Sequence, residues 1–245
     1  MGLILYELGG RGDRRYSQFS WRARLAIAHK RLPAETRAVR VSDKQAIAFS
    51  GQDKVPILVD GDEVIHDSWR IAEHLERRYP NAPSLFGGAA GHALSRFVNA
   101  YVDRTLIPRL APLLMRDVVD GVNGEDAPHL RAQMERVFGK SLEELAENRE
   151  EAIPAFRKLL DPARATLRAQ SFLAGESAAY ADYALFSLFQ WARIMSAFEV
   201  LEPSDALAAW RERMLDLHDG LARSEPACSD ESAVPLSPHK RGGFA

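Results

Sequence analysis

The stretch from Lys54 to Tyr79, KVPILVDGDEVIHDSWRIAEHLERRY, constrains this chain most, because it packs a Val-Pro turn, two short strands and a helix start into 26 residues. Val55 precedes Pro56, so its backbone is biased toward an extended conformation, and a proline between loop and strand is a position where a cis bond is tolerated. That geometry is expected to leave the Val55 N–H and C=O facing outward, without partners in the sheet. Ile57, Leu58 and Val59 form an apolar run, Asp60-Gly61-Asp62 carries turn chemistry, and Glu63 to Ile65 resumes as a second strand, together a β-hairpin. Asp67-Ser68 then opens a helix whose apolar positions Trp69, Ile71, Ala72 and Leu75 recur at helical spacing until Tyr79-Pro80 ends it. Free N–H groups at such a helix start attract carboxylates.

Ahead of this stretch, Leu3 to Tyr6 reads as a buried strand, and Ser17 to Lys30 as a helix. Thr36 to Val41 reads as a second strand, and Ser42 to Phe49 as a weak helical segment. The order is β-α-β-α-β-β-α over residues 1–80. Residues 81–91 form a proline- and glycine-rich linker. Beyond it only helical periodicity is found: about His92 to Asp120, Ala127 to Asn148, Ile153 to Gln170, Ala181 to Phe198 and Ser204 to Leu221. Residues 92–222 therefore read as an all-α domain, with Pro108 and Pro112 expected to kink its first helix. Residues 223–245 are polar, contain three prolines and read as an extended tail.

The chain is long enough for two domains with real cores, being 46% hydrophobic over 245 residues. A net charge of −2, with no basic block, argues against nucleic acid. One cysteine, Cys228, excludes an internal disulfide framework and fits a reducing compartment, so a cytoplasmic protein is expected. No membrane-spanning run or secretory leader is read, and the seven histidines have no metal-ligand spacing, so neither membrane nor metal is expected.

These features, Val55-Pro56 before the third strand and Asp67-Ser68 at the last helix start, followed by an all-α domain, make the chain resemble the cytosolic glutathione transferases over residues 1–222. Within them, Ser17-Gln18-Phe19-Ser20-Trp21-Arg22 and Asp67-Ser68-Trp69-Arg70-Ile71-Ala72-Glu73 look like segments of the bacterial glutathione-dependent β-aryl etherases and their fungal etherase-like relatives. The resemblance implies a thioredoxin-like N-terminal domain that holds glutathione as co-substrate, and a helical C-terminal domain that shapes the pocket for a hydrophobic electrophile. It also implies a homodimer. Extended Val55 before Pro56 can pair with the cysteinyl unit of glutathione by strand addition. Asp67 suits the α-ammonium, and the hydroxyl and N–H of Ser68 suit the γ-glutamyl carboxylate. Gln52 and Lys54 flank the turn within reach of the backbone or the glycyl carboxylate. Asp67-Ser68 alone would equally be an ordinary helix cap.

Chemistry requires the glutathione sulfur as thiolate, and a free thiol with a pKa of about 8.5 is mostly protonated at neutral pH. Ser17 at the first helix start can donate to the sulfur, with Ser20 as the alternative donor and a plain N-cap as the bland reading. Ser17-Gln18-Phe19-Ser20 stands where redox members of the superfamily carry Cys-x-x-Cys, which disfavours disulfide chemistry through an enzyme thiol. Tyr6 reads as core. For the electrophile pocket, Tyr101, Leu113 and Met115 offer apolar surface and Arg104 a cation, although the same residues suit bundle core and solvated surface. A carrier or scaffold without catalysis is the rival reading of the same fold. Finally, Ala179 stands three residues before Asp182 where this family usually has a capping side chain, which predicts a helix weaker by about 1 kcal/mol.

Overall fold

The computed structural model describes residues 2–233. Strands β1 (Leu3–Leu8), β2 (Ala34–Val39), β3 (Ile57–Asp60) and β4 (Glu63–His66) form one mixed sheet in the order β2-β1-β3-β4. β1 runs parallel to β2 and antiparallel to β3, as the crossover helix α1 (Gln18–His29) requires. The β3-β4 hairpin pairs Ile57 with His66 and Asp60 with Glu63. The weak segment before the Val-Pro turn is a 3-10 helix, Gln45–Ser50, closed by Gly51 at φ 66°. Helix α2 (Ser68–Arg78) follows β4 directly.

The all-α domain begins at Ala89, inside the stretch read as linker. Gly91 is required there, since a Cβ would stand 1.9 Å from the Phe86 carbonyl oxygen. Its helices are α3 (Ala89–Tyr101), α4 (Ile107–Gly121), α5 (Ala127–Phe138), α6 (Leu142–Glu147), α7 (Arg149–Leu159), α8 (Asp161–Ala169), α9 (Tyr180–Met195) and α10 (Ala206–Gly220). Two expected helices are each divided. Gly139, left-handed at φ 67°, ends α5, and Ser141 opens α6 with a capping box to Glu144. Pro162 starts α8 anew after α7.

The first long helix is interrupted, but not at a proline. A π-helical turn spans Val102–Leu106, where the Ile107 N–H reaches the Val102 carbonyl, and Pro108 falls in the first turn of α4, where its missing N–H costs little. Helix α9 is buried on nearly every side and packs against α1 and α3, so one core runs from Leu5 and Trp21 through Trp69 to Phe186 and Trp210. The absent capping side chain at Ala179 is offset by Asp182. Its carboxylate accepts from the N–H groups of Leu173, Ala174 and Ala179 and from Trp210 Nε1, at 2.7 to 3.2 Å. The expected weakness is thus met by four other bonds to the same carboxylate.

The polar C-terminal stretch needs correction where it is described. Arg193 donates to the carbonyls of Ala222 and Glu225, the Arg15 N–H to the Glu225 carboxylate, and Arg14 to the Ala227 carbonyl. These bonds tie residues 222–227 to α9 and to the loop before α1, and Cys228–Ala233 closes into a 3-10 turn. The remainder of the tail reading, 234–245, lies outside the described residues. Among the described residues no helix is long and apolar enough to cross a membrane, and no cluster of His, Cys, Asp or Glu could hold a metal ion.

Candidate active site

Between the two domains lies a cavity of about 890 Å³. The N-terminal domain lines it with Tyr16, Ser17 and Phe19 at the start of α1, and with Lys54 and Val55 of the loop before β3. The helical domain contributes Met115 and Val118 of α4, His129, Gln133 and Arg136 of α5, and Trp191 of α9. The size suits a drug-sized ligand with an apolar body.

Ser17 caps α1: its Oγ accepts the Ser20 N–H at 3.3 Å, and its carbonyl accepts from Trp21. A hydroxyl that accepts still has a proton to donate, and Ser17 has no other side-chain partner among the described residues, so the donor is free on the cavity side. The N–H groups of Gln18 and Phe19, at the first turn, also lack intrahelical partners. Ser20 is buried like Ser17, but its Oγ finds no partner and, in contrast, it does not line the cavity. The loop feeding Ser17 is fixed from below, where the fully buried Glu7 accepts from Arg15 at 3.0 Å. Burial pushes the Glu7 carboxyl up to about 6 against the pull of Arg24 and Arg15.

Val55-Pro56 is a cis peptide. Val55 is half-buried, faces the cavity, and forms no backbone hydrogen bond among the described residues. Lys54 is exposed on the rim, while the N–H of Gln52 is bonded to Ser50 Oγ at 3.2 Å and Gln52 does not line the cavity. Asp67 and Ser68 stand outside the cavity but beside it. The pairing of Ile57 with His66 makes Pro56 and Asp67 the next positions on the two strands. Asp67 has φ 71°, an uncommon conformation for a side chain other than glycine. Its Oδ1 accepts from the N–H groups of Trp69 and Arg70 at 3.0 and 3.1 Å. Ser68 is as buried as Ser17 and lies beside the Tyr180 phenol of α9. The Tyr180 phenol, pushed up by burial, donates to Asn99 Oδ1. Asn99 also accepts from the buried Arg22 at 3.0 Å, and Arg22 reaches Asp103 at 2.8 Å and Ser187 at 3.0 Å.

Of the four residues suggested for the electrophile pocket, the cavity includes Met115 alone. Tyr101 donates its hydroxyl to the Leu159 carbonyl at 2.7 Å, Leu113 is buried in the core and Arg104 is exposed elsewhere on the surface. Helix α4 enters through the π turn with a rotated phase, which a plain 3.6-residue count does not anticipate. Tyr6 is also outside, accepting from Arg37 at 3.0 Å and packing on Phe49. The sequence reading passed over Tyr16, Trp191 and the α5 face. Only the polar spacing of 129, 133 and 136 on one helix face offered a signal for the last.

The family model for the glutathione S-transferase C-terminal domain matches residues 93–220, and that for the N-terminal domain matches residues 13–83. Glutathione S-transferase Z2 of Arabidopsis thaliana is 30% identical over 115 residues, which are 45% of this chain, and the match spans 52% of that relative's length. The crystal structure of glutathione transferase GSTFuA3 from Phanerochaete chrysosporium superposes with a TM-score of 0.73 at 23% identity, covering 97% of this chain and 99% of that one. A glutathione S-transferase of Ceriporiopsis subvermispora, solved in complex with glutathione, gives 0.70 at 21% identity, with 97% and 100% covered. With both domain models matched and the fold shared end to end, the chain belongs to the glutathione S-transferase family.

Proposed function

We propose that this protein is a glutathione transferase in which Ser17 stabilises the glutathione thiolate for attack on a hydrophobic or aromatic electrophile. The observation that carries the reading is the free hydroxyl donor of Ser17 at a helix N-terminus, facing the same cavity as the unpaired backbone of Val55. Val55 pairs with the cysteinyl unit, which sets the sulfur toward Ser17. Lys54 takes the glycyl carboxylate, with Gln52 behind it. The γ-glutamyl end leaves the cavity past Pro56 toward Asp67 and Ser68. There the strained backbone of Asp67 holds an acidic cap at a helix start, a feature that persists where function needs it. Met115, Trp191 and Phe19 form the apolar floor for the electrophile. β-Aryl ether cleavage, in which the sulfur displaces an aryloxide, is one reaction this arrangement serves. A homodimer is proposed with it.

Lowering the bound thiol by about two pKa units takes roughly 2.7 kcal/mol of preference for thiolate, within the combined reach of a hydroxyl donor and a helix N-terminus. Titrating enzyme-bound glutathione by thiolate absorbance tests it. The bound thiol should ionise about two units below free glutathione, and Ser17→Ala should remove most of that shift and slow turnover at neutral pH while glutathione still binds. An unshifted thiol in the parent protein defeats catalysis and leaves a binding role. A larger loss in Ser20→Ala moves the donor to Ser20.

A further inference from the structure

The helical domain gives the cavity a charge pattern that glutathione does not use. On α5, His129, Gln133 and Arg136 recur at spacings of four and three residues, hence on one face, and all three line the cavity. The whole lining carries Arg40, Lys44, Lys54 and Arg136 against a single carboxylate, Asp53, in a chain whose net charge is −2. Those cations are not equivalent. Arg40 is paired with Glu125, and Lys44 donates to the Asp53 carbonyl at 2.7 Å. Lys54 belongs to the glutathione loop. Arg136 and His129, both exposed at the cavity, have no acidic partner among the described residues.

An unpaired guanidinium beside an apolar floor of Met115, Val118 and Trp191 is complementary to a ligand with a flat apolar body and an anionic edge. We propose that the electrophile is an aromatic carboxylate, its ring on that floor and its carboxylate on Arg136. This rests on the reading that glutathione occupies the Ser17 and Val55 side of the cavity. A carboxylate meets the planar guanidinium in two parallel bonds, the strongest arrangement that side chain offers. Gln133 supplies an additional N–H donor on the same face. An unpaired cation at a cavity mouth also raises the local concentration of anionic substrate.

Two stable thioethers that differ by one carboxylate, S-benzylglutathione and S-(4-carboxybenzyl)glutathione, test the proposal by calorimetry on the full chain. The carboxylated ligand should bind about tenfold more tightly at low salt, and the preference should shrink as salt rises. Arg136→Gln should abolish the preference, Arg136→Lys should retain part of it, and both variants should bind glutathione itself as the parent does. Equal binding of the two thioethers by the parent overturns the proposal. So does an Arg136→Gln variant that loses glutathione and both thioethers alike, which would put Arg136 on the tripeptide. Failure of the underlying glutathione reading looks different, because neither glutathione nor either thioether would bind. In that event 4-chloro-3-nitrobenzoate and its carboxamide, titrated without glutathione, decide the matter, and the absence of a preference for the carboxylate overturns the inference on its own.

Discussion

Two helix starts in the N-terminal domain carry the same local chemistry and meet different surroundings. At the start of α1, Ser17 caps the helix with its oxygen and keeps its proton for the cavity. At the start of α2, the cap is Asp67, and Ser68, one position on, lies beside Tyr180 of the helical domain. Both serines stand at a helix start, Ser17 as the cap and Ser68 as the first residue, under the same helix dipole. The difference is tertiary. Ser68 lies against a hydrogen-bonded chain running from Tyr180 through Asn99 and Arg22 to Asp103, whereas Ser17, equally buried, lines the cavity. A helix-start hydroxyl is therefore a ready-made ligand contact where the fold sets it on the cavity wall.

The comparison breaks most severely at Arg22, which joins α1 to the chain that ends on Tyr180, beside Ser68. Its guanidinium is fully buried and serves Ser187, Asn99 and Asp103 together. Arg22→Met removes one partner of a charge pair and leaves the other. That loss is typically about 3 to 5 kcal/mol, toward the low end here because Asp103 keeps some water and its bond from Asn99. A chain of this length should then melt roughly 6 to 12 °C lower. Thermal unfolding that moves by under about 2 °C would mean the network fastens nothing, and the two helix starts would differ only in which one borders the cavity.

A smaller effect sharpens the same comparison. For Ser68 to hold the γ-glutamyl carboxylate with its hydroxyl, that hydroxyl must point to the ligand rather than to the neighbouring Tyr180. Ser68→Ala should then weaken glutathione binding by about 1 to 3 kcal/mol, the value of a charge-assisted bond. Calorimetry that finds parent and variant equal would leave the carboxylate to the backbone N–H of the helix start and return the hydroxyl to a purely structural role.

How far the sequence could be read follows from the range of the forces involved. The hairpin, both helix starts and the cavity-facing Val55 were legible because Pro56, Gly61, Ser17 and Asp67 act on backbone within a few residues. The all-α domain was legible from periodicity. Its internal breaks at Gly139 and Pro162 were marked by residues that end and begin helices, yet the apolar pattern ran on across them. What the sequence hid was phase and burial. The π turn at 102–106 rotates α4 after Tyr101, so a face counted from α3 does not continue. The docking of residues 222–227 was hidden for another reason: its bonds run from Arg14, Arg15 and Arg193 to backbone or to Glu225, and polar composition alone reads as tail. Asp182, too, was seen as half of a missing cap, although it gathers three backbone N–H groups and Trp210.

The mildest prediction separates the two kinds of residue that a helical count places together. Tyr101 and Met115 were both reasonable pocket residues by composition, but the Tyr101 hydroxyl donates to the Leu159 carbonyl between α3 and α7 while Met115 faces the cavity. Tyr101→Phe deletes that one bond and keeps the ring, so it should cost about 0.5 to 1.5 kcal/mol of stability. Its relative rates on small and bulky aromatic electrophiles should match the parent's, because no atom of the pocket wall has changed. If Tyr101→Phe instead reorders those rates with stability intact, the wall of the electrophile site extends to the α3 end of the π turn. The division between the core face and the cavity face of this helix would then have to be redrawn.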